Sequence, residues 1–210
     1  MAAELMSLVD ASAMLGVSAE RVRQLVVAGD LPGVRFGNAW AVPRDAVVAR
    51  RHQANRRGRP LQAARAWREI IAGHVDLASA GRYRERAAVQ RYQLSAGDLA
   101  HLAADPHVRR SGVAAAIELG QLLPLEDAAD EFYLPASAAT RLLGDIAAVE
   151  DPLGRVILRV VDDAAWPFAD EPTAPSASPA PAAAVALDLM ESGDPRHWVA
   201  AEALVAALDG

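Results

Sequence analysis

Apolar residues near the start of the chain fall at helical spacing. Leu8, Val9, Ala11, Met14 and Leu15 mark one helix face, and Ser7 followed three residues later by Asp10 makes a capping-box-like start. Gly16 stops that run. Ser18 then opens a second pattern in which Val22, Leu25 and Val26 point inward and Ala19, Glu20, Arg21, Arg23 and Gln24 remain on the surface. Gly29 closes it, and Leu31 and Pro32 lead away. The period next shortens to two: Val34 and Phe36 flank Arg35, Gly37 and Asn38 supply a tight turn, and Trp40 and Val42 return before Pro43. Asp45 caps a further helix through Arg51. Two short helices joined by a glycine-containing turn and followed by a hairpin predict a winged helix-turn-helix, the core of a domain spanning residues 1–53.

Beyond it, Arg56, Arg57, Gly58, Arg59 and Pro60 dominate a basic linker, residues 54–60. Residues 61–168 read as one domain with helical patterns at 61–72, 81–92, 95–103, 113–119 and 136–143. The strand-like runs are 132–134 and 155–161. Residues 169–182, with Pro172, Pro175, Pro179 and Pro181 among Ala, Ser and Thr, read as a flexible segment. Residues 183–210 predict a helical hairpin packed on the second domain. The expected fold class is mainly α with short strands, α+β.

Composition narrows the function. With 52% hydrophobic and 23% charged residues among 210, the chain is that of a folded globular protein. Cysteine is absent, which removes disulfides and thiolate metal sites. No stretch approaches the roughly 18 apolar residues of a membrane span, and a cytoplasmic location is expected. The net charge of −6 is unevenly spread. Residues 1–68 hold 11 arginines against five acids, whereas residues 69–210 hold 10 against 22. That places a cationic module ahead of an acidic body.

No catalytic pattern stands out. His52, His74, His101, His107 and His197 lack metal-ligand spacing, and there is no phosphate-cradling glycine loop. Asp162 and Asp163 could serve a metal-dependent nucleic-acid enzyme, but they also suit a turn at a strand end. The expectation is no enzyme, no cofactor and no metal.

The run from Val9 to Val47 resembles the MerR/excisionase-type helix-turn-helix family in its helix starts, its Gly-x-Leu-Pro exit, its wing tryptophan and its re-entry after Pro43. That resemblance implies double-stranded DNA as the partner. Ser18, Ala19, Arg21 and Gln24 would face base edges, and Arg23 and Arg35 would hold phosphates. Asn38 and Ala41 stand where such wings often carry arginine, which implies a weaker wing. Arg57-Gly58-Arg59-Pro60 resembles the core of a minor-groove AT-hook, which would add Arg57 and Arg59 to the contacts.

The order of Arg109–Gly120, Phe132–Tyr133, Arg155–Phe168 and Ala183–Arg196 behind a helix-turn-helix is similar to AbiEi-like antitoxins of abortive-infection systems. The likeness implies an autoregulating repressor and a nucleotidyltransferase-type toxin as partner. A stand-alone regulator or an excisionase-like architectural protein is the alternative. One small module reads few base pairs, so a homodimer is expected.

Overall fold

The computed structural model describes residues 4–37, 39–55, 59–121, 128–146, 148–169, 171, 177–192 and 194–208, without side-chain detail at 49, 51–55 and 195. The chain forms two compact units, Met1–Arg57 and Gly58–Gly210. It is mixed α+β, as the sequence patterns predict.

The first unit runs β1 (Leu5–Ser7), α1 (Leu8–Leu15), α2 (Ala19–Val27), β2 (Val34–Phe36), β3 (Ala39–Pro43) and α3 (Arg44–Asn55). Its sheet has the order β1-β3-β2 and is antiparallel throughout, with Met6 opposite Val42 and Arg35 opposite Trp40. Strand β1 is a third partner for the hairpin that three residues of sequence do not announce. Ala11, Val22, Leu25, Val26, Leu31, Val42 and Val47 close into one buried cluster. The helical and the period-two apolar positions therefore meet in a single core. Helix α3 continues to Asn55, into the stretch that its arginines suggest is linker.

The second unit contains α4 (Ala63–Ile71), a 3-10 segment (Leu77–Tyr83), β4 (Ala88–Gln93), α5 (Ala96–Ala103), β5 (Arg109–Ser111) and α6 (Gly112–Glu118). It continues with β6 (Asp130–Pro135), α7 (Ala136–Asp145), β7 (Val149–Glu150), β8 (Val156–Val161), a 3-10 turn (Asp163–Ala165), β9 (Ser178–Pro179), α8 (Ala182–Glu191) and α9 (Pro195–Ala206). One sheet, ordered β7-β4-β8-β6-β5-β9, organises it. The β8–β6 and β5–β9 pairs are parallel and the others antiparallel.

The two sheet faces differ in chemistry. On one, Tyr92, Phe132, Leu134, Val156 and Leu158 pack with Leu102, Ala139 and Leu142 of α5 and α7. On the other, the β6 and β8 positions in between carry Glu131, Tyr133 and Arg159, with Ser111 from β5; Ser111, Tyr133 and Arg159 meet Asp188 of α8, and Glu131 pairs with Arg159. Every residue of α8 from Ala183 to Met190 is buried. Val185, Leu187 and Leu189 each contribute about 1.5–3 kcal/mol on leaving water. Trp67 of α4 donates from Nε1 to the Arg86 carbonyl at 3.0 Å and meets the Tyr133 ring edge-on at 5.0 Å.

Two expectations change. Residues 81–92 are not a helix: a 3-10 segment ends at Tyr83 and β4 follows, because Ala88–Tyr92 has a full ladder partner in Val156–Val160. Nor is 169–182 uniformly a flexible segment, since Ser178 and Pro179 pair beside Arg109 and Arg110 and the small side chains of Ala177 and Ala180 are buried.

Candidate nucleic-acid interface

The Ser7 hydroxyl oxygen accepts from the Asp10 amide at 3.2 Å and its hydroxyl donates to the Asp10 carboxylate at 2.7 Å, which sets the start of α1. Gly16 ends that helix with φ 64, in the left-handed region that glycine enters without a Cβ penalty. Ser18 starts α2 by accepting from the Arg21 amide at 3.2 Å. Its oxygen is thus engaged in capping.

Val22, Leu25 and Val26 anchor α2 to the core. That fixes what faces outward: Glu20, Arg21, Arg23 and Gln24 are exposed and Ala19 is half-buried. The polar side chains are already arranged in two pairs. Arg21 Nη1 donates to Gln24 Oε1 at 3.3 Å. Arg23 donates from Nε and Nη2 to the two Glu20 carboxylate oxygens, both at 2.8 Å. The Arg23 hydrogen bond lowers the Glu20 carboxyl below its usual range, and the Glu20 hydrogen bond raises Arg23. Glu20 is the residue that the sequence expectation leaves out of the interface. Its signal is legible, because Glu and Arg at i and i+3 lie side by side on a helix.

At the wing, Gly37 turns with φ 58 and its carbonyl accepts from Arg35 Nε at 3.0 Å, so Arg35 is held at the hairpin tip. Phe36 and Val34 are exposed beside it. Asn38 and Arg57 lie outside the described residues. Arg59 is exposed and falls in the second unit, so the AT-hook-like run straddles the division between units. Two other cations of the first unit are engaged, Arg44 with Glu4 at 3.1 Å and Arg50 with the Asp30 carbonyl at 2.8 Å.

The carboxylate pair of the second unit has structural partners. Asp162 accepts from the Ala164 amide at 2.9 Å, and Asp163 accepts from the Ser137 amide at 3.1 Å and the Ser137 hydroxyl at 2.9 Å, holding the start of α7. Asp163 also lines a cavity of about 580 Å³ with His107, Arg141 and Trp166. Among the described residues no group of three or more histidines and carboxylates is placed to hold a metal ion. None of the described helices is long and apolar enough to cross a membrane.

Residues 5–53 match a family model described as a helix-turn-helix domain. The matched segment begins at β1 and runs through the wing into α3. No curated protein and no solved structure matches the chain. The N-terminal unit is therefore a helix-turn-helix domain, and the likeness of the whole chain to AbiEi-like antitoxins rests on the order of its segments alone.

Proposed function

We propose that this protein is a sequence-specific duplex-DNA-binding repressor, with α2 of the first unit as the helix that enters the major groove. The observation that carries the reading is the outward face of α2. Four polar residues with base-reading chemistry stand exposed on a helix whose other face is fixed in a core, and the same unit carries a cationic hairpin tip. Arg21 and Gln24 are the base-reading residues, Ser18 and Ala19 line the approach at the start of the helix, and Arg35 takes a phosphate. Arg57 and Arg59 add backbone contacts through the basic run. A module this small reads few base pairs, so the operator contains two copies of the site and the protein binds as a homodimer. The role is one of binding, with no catalytic step, and its place is the cytoplasm.

The acidic excess of residues 69–210 supports a protein partner for the second unit, since a nucleic-acid-handling enzyme with a basic surface would be steered towards it. A nucleotidyltransferase-type toxin is the partner implied by the antitoxin likeness, and the protein would then repress its own operon. A stand-alone regulator lacks that partner. Titration of full-length protein with the duplex upstream of its own gene, at several salt concentrations, tests the DNA reading. Saturable binding that weakens with salt is expected, and no shift with any genomic duplex would end it. Co-purification with the product of the adjoining reading frame separates antitoxin from stand-alone regulator.

A further inference from the structure

The pairing of Arg23 with Glu20 changes what α2 is equipped to recognise. A guanidinium has five N–H donors and a carboxylate about four acceptor sites, and the two 2.8 Å bonds use two of each. The Nε/Nη2 edge of Arg23 faces Glu20, which leaves the Nη1/Nη2 end for a second bidentate acceptor. Glu20 keeps lone pairs for a donor. Both side chains stand about half exposed, at 49% for Arg23 and 58% for Glu20. A phosphate is a poor match for this pair, because any phosphate reaching Arg23 would also come close to the Glu20 carboxylate and be repelled by it. A guanine edge offers O6 and N7 as acceptors, and the cytosine edge offers the N4 amino group as a donor.

We propose that Glu20 and Arg23 act as one fork that reads a G·C pair in the major groove, Arg23 donating to guanine and Glu20 accepting from the N4 amino group of its cytosine partner. This assignment rests on the reading of α2 as the groove-entering helix. It moves Arg23 from phosphate holder to base reader and makes Glu20 a specificity-determining residue. The fork is preset before DNA arrives, so fewer side-chain rotations are lost on binding.

The test uses full-length protein. Randomised duplexes are selected by wild type, E20Q and E20A, and the enriched sequences are then titrated one base change at a time. Wild type is expected to select a G·C pair at one position, with about 5- to 150-fold discrimination there. E20Q keeps the side-chain shape without the charge and is expected to relax that position while leaving the others selected. The R23Q/E20Q double variant should lose no more discrimination there than either single change, because the two residues act together. If E20Q and E20A tighten every duplex by the same factor with all base preferences intact, Glu20 only dampens charge and the fork is overturned. Failure of wild type to bind any duplex in a salt-sensitive way is a different result: it removes the DNA-binding reading itself.

Discussion

Asp188 shows how much one residue organises in the second unit. Buried on α8, it accepts hydrogen bonds from Arg86, from the Ser111 hydroxyl and from Tyr133 at 2.7 Å, and it lies 3.1 Å from Arg159 Nε. Arg86 and Arg159 each also reach Glu191 at 2.8 Å, and Arg159 reaches Glu131 at 3.0 Å. Removing the aspartate would leave two guanidinium groups short of their counter-charge inside the fold. Asp188→Ala is therefore expected to cost about 3–5 kcal/mol in urea unfolding, and a loss below about 1 kcal/mol would show that the network does not secure α8. Gly112 has a related role, for φ is +60 and a Cβ there would sit 2.7 Å from the Glu131 carboxyl carbon. The network also carries a pH signature. Burial opposes the Glu191 charge, yet Arg86 and Arg159 outweigh it and hold the carboxyl down to about 2. Its contribution is therefore present above its ordinary value of 4.5 and is lost as pH falls towards about 2. Burial raises Glu131 instead, which acts in the opposite direction, so the informative measurement is a difference. The stability gap between wild type and Glu191→Gln is expected to be widest above about pH 5, to narrow through the acid range and to close near pH 2. A gap independent of pH would remove Glu191 from the ion network.

Among the elements, those with a local start signal are legible in the sequence and those defined by distant partners are not. Ser7, Ser18 and Ser95 each precede a helix and each accepts from the amide three residues on, as their spacing implies. The hairpin wing is legible because its alternation and its glycine turn lie within ten residues. Strand β4 is not, since Ala88–Gln93 reads Ala-Val-Gln-Arg-Tyr-Gln with no clean alternation and its strand character comes from pairing with β8, more than sixty residues away in the chain. Strands β1, β5 and β9 have three residues or fewer, too few to show a period. The candidate interface is legible in identity and in spacing: the exposed residues of α2 follow from the helical period, and the i, i+3 placement of Glu20 and Arg23 allows their pairing, whereas the bidentate geometry of that contact comes only from the structure. The cap signal makes a prediction of its own. Ser18→Ala removes the acceptor for the Arg21 amide and should destabilise the first unit by about 1 kcal/mol. A fall in the thermal midpoint of that unit, with Ser18→Asp close to wild type, would be the mark of a cap. A larger loss of DNA binding than of stability would place the hydroxyl on the DNA as well.

For the molecule as a whole, the proposed DNA binding raises the question of how a chain of net charge −6 would hold on to a polyanion. The answer depends on which cations of the first unit remain available to phosphate. Arg23 faces a carboxylate at 2.8 Å and Arg44 faces Glu4 at 3.1 Å, so these two of the positive charges counted in the sequence are countered locally. Arg35 is different, because its hydrogen bond at the wing tip is to a neutral carbonyl and its full charge projects with the hairpin. Each arginine that neutralises a phosphate releases condensed counterions, and it steepens the dependence of log K on log salt by about 0.9. Arg35→Ala is therefore expected to lower that slope by about one, uniformly across duplex sequences. Arg23→Ala, whose charge is already balanced, should leave the slope near the wild-type value while altering which bases are preferred. An equal fall in slope for the two variants would mean that the Glu20 pair opens on DNA and that Arg23 holds phosphate after all; an unchanged slope for Arg35→Ala would take the wing tip out of the interface.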